Sequence, residues 1–94
     1  MGSADDPHRA AATLAIDLRE DCPWVDDSTA ADAAWHAFSD DEGGGRGAIF
    51  RDVHYKRGVL RVMDEIRAGR MERVEHSPPM LEKARKRVPD FTRK

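Results

Sequence analysis

Residues 5–21, DDPHRAAATLAIDLRED, contain the pattern that decides the fold. Four apolar residues of this stretch recur at the spacing i, i+3, i+4, i+7, which places them on one face of an α-helix. They are Ala11, Leu14, Ala15 and Leu18. The opening Asp-Asp-Pro supplies a capping carboxylate and a proline suited to a first turn. We therefore predict an amphipathic helix that ends near Asp21, just before Cys22-Pro23.

The next segment repeats the helical spacing. Its apolar face consists of Ala31, Ala34, Trp35 and Phe38. Asp26-Asp27-Ser28 precedes this face and predicts a helix start, because acidic side chains cap the first turn and favour the helix dipole. Large aromatic residues at helical spacing are usually core residues, so we expect most of them to be buried. Among them, Trp24 is the best candidate for exposure, because it lies in a predicted loop.

A third helical stretch, the longest, is predicted from Ala48 to Gly69. Its apolar residues form two faces, one around 49–53 and another around 59–66, with Gly58 between them. One continuous, bent helix fits this pattern, and so do two helices that meet at Gly58. We favour the continuous helix, because no capping residue precedes Val59. A helix-turn-helix centred on Gly58 fits poorly, since charged residues would occupy positions that need apolar ones.

The C-terminal part predicts one more helix. Met71 to His76 could form a short extended piece, and Ser77-Pro78-Pro79 is typical of a helix start. With Ser77 as its cap and proline in its first turn, this helix is expected to continue over Met80 to Val88 and to end at Pro89, and 89–94 is expected to be a flexible tail. The sequence thus predicts an all-α fold: one domain over residues 1–94, built as a small bundle of about four helices.

Composition limits the classes of protein to consider. The chain has 94 residues, of which 36% are charged and 39% hydrophobic, so its core is expected to be thin. It contains no apolar run of about 18 residues and no N-terminal signal sequence, which predicts a cytoplasmic protein without a membrane partner. Cys22, the single cysteine, is expected to be buried.

Charge is divided unevenly along the chain. Residues 1–45 hold eleven acids and two bases, whereas residues 46–94 hold fourteen bases and seven acids. The two halves therefore carry −9 and +7, which gives the net charge of −2. The glycine-rich segment at 39–47, SDDEGGGRG, separates them and predicts a flexible loop. We call residues 1–45 the acidic half and residues 46–94 the basic half.

The acidic half suggests the first functional hypothesis. A dense negative surface can bind a protein with a basic surface and exclude acidic competitors. We expect a non-enzymatic regulator or inhibitor that binds another protein, with an aromatic anchor ringed by carboxylates. The predicted partner-binding residues are Asp21, Trp24, Asp26, Asp27 and Asp32.

Two other readings stay open. The basic half could bind nucleic acid, because clustered lysines and arginines neutralise phosphates. The residues for that alternative are Lys83, Arg85, Lys86 and Arg87. Instead, the two halves could pair with each other, either within one chain or across a homodimer.

Catalytic signatures are scarce. The four histidines stand one per segment in no known catalytic or metal-binding spacing. Asp32, His36 and Asp40 share a predicted helix face, but a metal ion would need a further ligand from elsewhere. The sequence therefore predicts no enzyme, no cofactor and no metal site.

Overall fold

The structure, a computed structural model, describes residues 6–40 and 54–88 of the chain. Four α-helices and no strand occur in these residues, so the predicted all-α bundle is confirmed. The helices are α1, Asp6–Asp21; α2, Asp27–Ser39; α3, Tyr55–Arg67; and α4, Pro78–Arg85. No helix among the described residues has the length and apolar character needed to span a lipid bilayer.

The two helices of the acidic half lie at the centre of the bundle. α1 and α2 pack against each other, and both α3 and α4 pack against this pair. The contact between α3 and α4 is the weakest of the six helix pairs. Alanine allows this arrangement, because its small side chain lets several helices approach one helix closely. Nine alanines of α1 and α2 are buried: Ala10, Ala11, Ala12, Ala15, Ala30, Ala31, Ala33, Ala34 and Ala37.

The predicted apolar faces of α1 and α2 are buried. Leu14 and Leu18 have no exposed surface, and Trp35 and Phe38 are 2% and 5% exposed. Burial in α1 nevertheless extends beyond the predicted stripe to Thr13 and Ile16, because α1 contacts all three other helices. Cys22 is fully buried, as predicted.

The predicted helix from Ala48 to Gly69 is wrong in its bounds. α3 begins only at Tyr55, because His54 has non-helical backbone angles, and α1 is the longest of the described helices. The helix continues through Gly58 without a break, which excludes a helix-turn-helix centred there. A Cβ atom at Gly58 would come within 2.8 Å of the His8 ring, so glycine allows the close approach of α1 and α3.

Gly69 terminates α3. Its φ of +81° lies in the left-handed region, which suits glycine. The Gly69 N–H donates to the Ile66 carbonyl at 3.0 Å, and the Arg70 N–H donates to the Glu65 carbonyl at 2.9 Å. These two bonds form a Schellman motif, which satisfies carbonyls at the end of the helix.

The C-terminal part follows its prediction at the start of α4 and departs from it in other details. Residues 71–77 form no extended strand and connect α3 to α4 irregularly. Ser77 occupies the N-cap position with proline following, but its side chain makes no capping hydrogen bond. α4 begins at Pro78, as the predicted Ser77 cap and first-turn prolines require, but it gives way to a turn after Arg85 instead of continuing to Val88.

Several predictions fall outside the described residues. They concern the apolar face around 49–53, the predicted tail at 89–94, and most of the predicted glycine-rich loop at 39–47. Of that loop, Ser39 belongs to α2 and Asp40 forms its C-cap.

Candidate binding surface

The connection between α1 and α2 forms the centre of the predicted binding surface. It is anchored by its own backbone and by apolar side chains: the Cys22 N–H donates to the Leu18 carbonyl at 2.8 Å, and Val25 is 4% exposed. Asp26 begins α2 as predicted, because its Oδ1 accepts a hydrogen bond from the Thr29 N–H at 2.8 Å. That bond lowers the pKa of the Asp26 carboxyl below its usual 3.8.

Arg19, one of only two bases in the acidic half, holds this connection in place. Its Nε donates to the Val25 carbonyl at 2.7 Å, and one terminal nitrogen donates to Asp27 Oδ1 at 3.1 Å. The guanidinium thus links the last turn of α1 to the first turn of α2. These contacts hold the connection between α1 and α2 in one conformation, and we call it the braced turn.

The predicted partner-binding residues divide into two groups. Asp21 and Asp26 are exposed and form no ion pair with any described residue. Glu20 is also exposed and also forms no ion pair with a described residue. Trp24 lies between Asp21 and Asp26 in sequence and is half-buried, with part of its ring packed on the core. Asp27 and Asp32, in contrast, contact cations and polar groups of the basic half.

Asp27 connects the first turn of α2 to the end of α3. Its Oδ2 accepts a hydrogen bond from Arg67 at 2.8 Å, and its Oδ1 accepts a second from the same guanidinium at 3.1 Å. This two-point contact, together with Arg19, lowers the pKa of Asp27 below its usual 3.8. It also raises the pKa of Arg67.

Asp27→Asn is therefore expected to lower the free energy of unfolding by about 1 kcal/mol or less near neutral pH, because partly exposed pairs are screened by water. The pKa of Asp27 is lower in the folded protein than in the unfolded chain. Ionised Asp27 therefore stabilises the fold fully at pH values above its usual pKa of 3.8, and this stabilisation is lost as the pH falls through the folded pKa. Urea denaturation at about pH 6 and about pH 3 measures both regimes, and the variant's deficit should shrink at the lower pH. Asp21→Asn serves as the exposed control, and an equal deficit at both pH values would contradict the assignment.

Asp32 belongs to a polar cluster at the start of α3. The Tyr55 hydroxyl donates to Asp32 Oδ1, while His36 Nε2 lies 3.3 Å and Lys56 Nζ 3.9 Å from the same oxygen. The Tyr55 ring also stacks on Trp35 with a centroid distance of 4.8 Å. The pKa of the Tyr55 phenol is raised well above 10, mainly because the side chain is partly buried and additionally because the Asp32 carboxylate is close. Asp32 therefore joins α2 to the basic half.

Tyr55 is the only tyrosine, so phenolate absorbance reports this cluster alone. We expect the native protein to form phenolate at a higher pH than the denatured protein, whose tyrosine should titrate near 10. Asp32→Asn should lower the midpoint, because a neutral amide repels the phenolate less than a carboxylate does. A raised phenol pKa also means that folding loses stability as pH rises above about 10. Identical titrations of the native and denatured protein would show that Tyr55 is not docked on α2.

Further contacts join the acidic half to the basic half. Asp17 pairs with Arg73, and its Oδ2 lies 2.6 Å from His76 Nε2. Asp40 pairs with Arg87. Together with the contacts of Asp27 and Asp32, these pairs show that the two halves fold against each other, as one reading of the charge division predicted.

The cations at the end of α4 and in the turn that follows it do not form one uniform patch. Lys83, Arg85, Lys86 and Arg87 are all exposed. Arg87 is paired with Asp40, whereas Arg85 and Lys86 form no ion pair with a described residue. Arg87 is therefore less available to bind a phosphate than the sequence alone suggested, which weakens the nucleic-acid alternative.

Metal ligands do not converge in the described part of the chain, where no group of three histidine, cysteine, aspartate or glutamate side chains could hold an ion. Asp32 and His36 do lie together, as their spacing predicted. Their nearby polar contacts are Tyr55 and Lys56, and a lysine ammonium opposes cation binding.

Sequence reasoning missed the individual cation partners of the acidic half. The uneven charge division indicated attraction between the halves, but Asp27 and Arg67 are forty positions apart and no local pattern connects them. Helix capping was a stronger signal, and it located Asp26 correctly. No protein-family model, curated protein or solved structure matches this chain.

Proposed function

We propose that this protein is a non-enzymatic regulator or inhibitor that binds another protein through the exposed acids of the α1–α2 connection. One observation carries the proposal: internal ion pairs use Asp17, Asp27, Asp32 and Asp40, yet the acids of the connection remain exposed. Carboxylates that form no ion pair within the described part of the chain are available to a cationic partner, and Asp26 keeps its second oxygen free of the cap. The braced turn holds them in a fixed arrangement, which reduces the entropy lost on binding.

Trp24 supplies the apolar element of this surface. Interfaces concentrate their binding energy in a few residues, and tryptophan is enriched among them. The half-buried side chain packs on the core, and Trp24 lies within three positions of both Asp21 and Asp26 in the sequence. A basic partner would therefore meet carboxylates that speed encounter and an aromatic ring that adds contact area.

The experiment compares three forms of the protein as affinity baits in an extract of the source cells. The first bait is wild type. The second, the acidic-surface variant, carries Asp21→Asn, Trp24→Ala and Asp26→Asn. The third, the basic-helix variant, carries Lys83→Gln, Arg85→Gln and Lys86→Gln. Asparagine at position 26 removes charge but preserves the cap, because asparagine and aspartate are comparable N-cap residues. Each bait is first checked for native helicity by circular dichroism.

We expect a protein that the wild-type and basic-helix baits retain and that the acidic-surface bait loses. Reconstitution with that purified partner should show at least tenfold weaker binding to the acidic-surface variant, and wild-type affinity should fall with added salt. The proposal is overturned if no retained protein distinguishes the acidic-surface bait from the others.

Nucleic-acid binding through α4 is the second candidate, because Arg85 and Lys86 are exposed without an ion pair to the described residues. Titration of labelled duplex and single strand over about 50–300 mM salt tests it. A log–log slope of about −4 or steeper, lost in the basic-helix variant, would move the functional surface to α4. No binding at the lowest salt would remove this candidate.

A further inference from the structure

An open groove of about 560 Å³ runs between the first turn of α2 and the middle of α3. Its lining combines residues of both halves of the chain. They are Arg19, Asp26, Asp27, Ser28, Leu60 and Asp64. The groove adjoins the proposed binding surface, because Asp26 belongs to both.

The charged groups of the groove differ in what they already bind. Arg19 and Asp27 are engaged with each other, and Asp27 also binds Arg67. Asp26 uses one carboxylate oxygen for its cap. Asp64 is exposed, and its carboxylate makes no hydrogen bond to a described residue. The groove consequently offers one available carboxylate from the α2 side, Asp26, and one from the α3 side, Asp64.

Leu60 provides the apolar part of the groove. It is only half-buried, whereas its neighbours on the apolar face of α3, Val59, Val62 and Met63, are fully or almost fully buried. An aliphatic side chain from a partner could cover Leu60 and remove it from water, which favours association. Positive charges flanking that side chain would then lie near the available carboxylates.

We propose that this groove binds a basic segment of the partner in which one aliphatic side chain is flanked by lysine or arginine. The inference rests on the proposed function and specifies the chemistry of the partner. The aliphatic side chain contacts Leu60, and the flanking cations face Asp26 and Asp64. Charge complementarity selects a basic segment over an acidic or neutral one.

The test uses two short, capped synthetic peptides that are rich in lysine and arginine. One has leucine at its centre and the other has glycine there. Dissociation constants and perturbed residues are measured by titration of the ¹⁵N-labelled full chain, followed by NMR. We expect the leucine peptide to bind about tenfold more tightly, because burying an aliphatic side chain contributes roughly this factor. The largest shifts should occur at residues 26–28 and 60–64.

Matched variants separate the two contributions. Leu60→Ala preserves helix propensity and should remove most of the difference between the peptides. Asp26→Asn with Asp64→Asn should weaken both peptides by a similar factor. Glu72→Gln with Glu82→Gln removes two exposed acids outside the groove and should change neither peptide's binding beyond a small factor.

The groove assignment is overturned if the two peptides bind equally or if the shifts map elsewhere. It is also overturned if sedimentation shows a dimer and the NMR signals of residues 26–28 and 60–64 shift when that dimer dissociates on dilution, because a second copy of the chain would then occupy the groove. Should the peptides fail while a captured partner still depends on Asp21 and Trp24, the proposed function stands without this groove. If no captured protein depends on the acidic surface, the proposed function fails regardless of the peptide results.

Discussion

Trp35→Ala is expected to lower the free energy of unfolding by about 3–5 kcal/mol, which is typical for removing a large buried aromatic side chain. Trp35 is 2% exposed and is the largest of the fully buried side chains. Its ring stacks on Tyr55 with an interplanar angle of 6°, and the His8 ring lies 5.2 Å away. The substitution therefore removes contacts among α1, α2 and α3 at once.

A loss of this size is a large fraction of the stability of a small domain, so much of the variant should be unfolded in the absence of denaturant. Urea denaturation followed by circular dichroism measures the change. Trp24→Ala is the matched control, and it should cost clearly less because Trp24 is half-buried. Equal losses for the two variants would contradict the central position of Trp35.

Thr13→Val is expected to cost about 1–3 kcal/mol, although the two side chains are nearly equal in shape. Thr13 is 2% exposed, and its hydroxyl donates to the Arg9 carbonyl at 2.9 Å. The same oxygen accepts a hydrogen bond from the Val74 N–H at 3.0 Å. Valine would leave this N–H without its partner and loosen the α3–α4 connection from α1.

Thr13→Ser is the control for the hydroxyl, because serine preserves both hydrogen bonds and removes only the methyl group. Its loss should be smaller than that of the valine variant. Hydrogen exchange of the Val74 amide supplies a local measurement, with faster exchange expected in Thr13→Val alone. Unchanged exchange in that variant would show that Thr13 does not hold the connection.

Local sequence signals predicted much of the helical structure. Apolar spacing identified the buried faces of α1 and α2, and the cap pattern at Asp26 located the start of α2. These signals succeed because they depend on neighbours within one helical turn. The start of α3 was mispredicted, since apolar residues before Tyr55 allowed the pattern to continue upstream.

Tertiary arrangement was less accessible from the sequence. The amphipathic stripe of α1 did not predict burial of Thr13, because burial there depends on the packing of the α3–α4 connection. The total charge of each half predicted attraction, but it could not separate Asp27, which binds Arg67, from Asp26, which caps a helix and stays exposed. That separation matters for function, since only exposed acids are available to a partner.

Docking of the basic half on the acidic half decides which acids are internal, and nuclear Overhauser effects between Tyr55 and Trp35 test this docking. Tyr55 is the only tyrosine, so its ring signals can be assigned without ambiguity. The stacked rings, with centroids 4.8 Å apart, predict strong cross-peaks between them and weaker ones to His36. Tyr55 signals at random-coil positions, with no cross-peak to Trp35, would contradict the fold and with it the division of acids into internal and partner-facing groups.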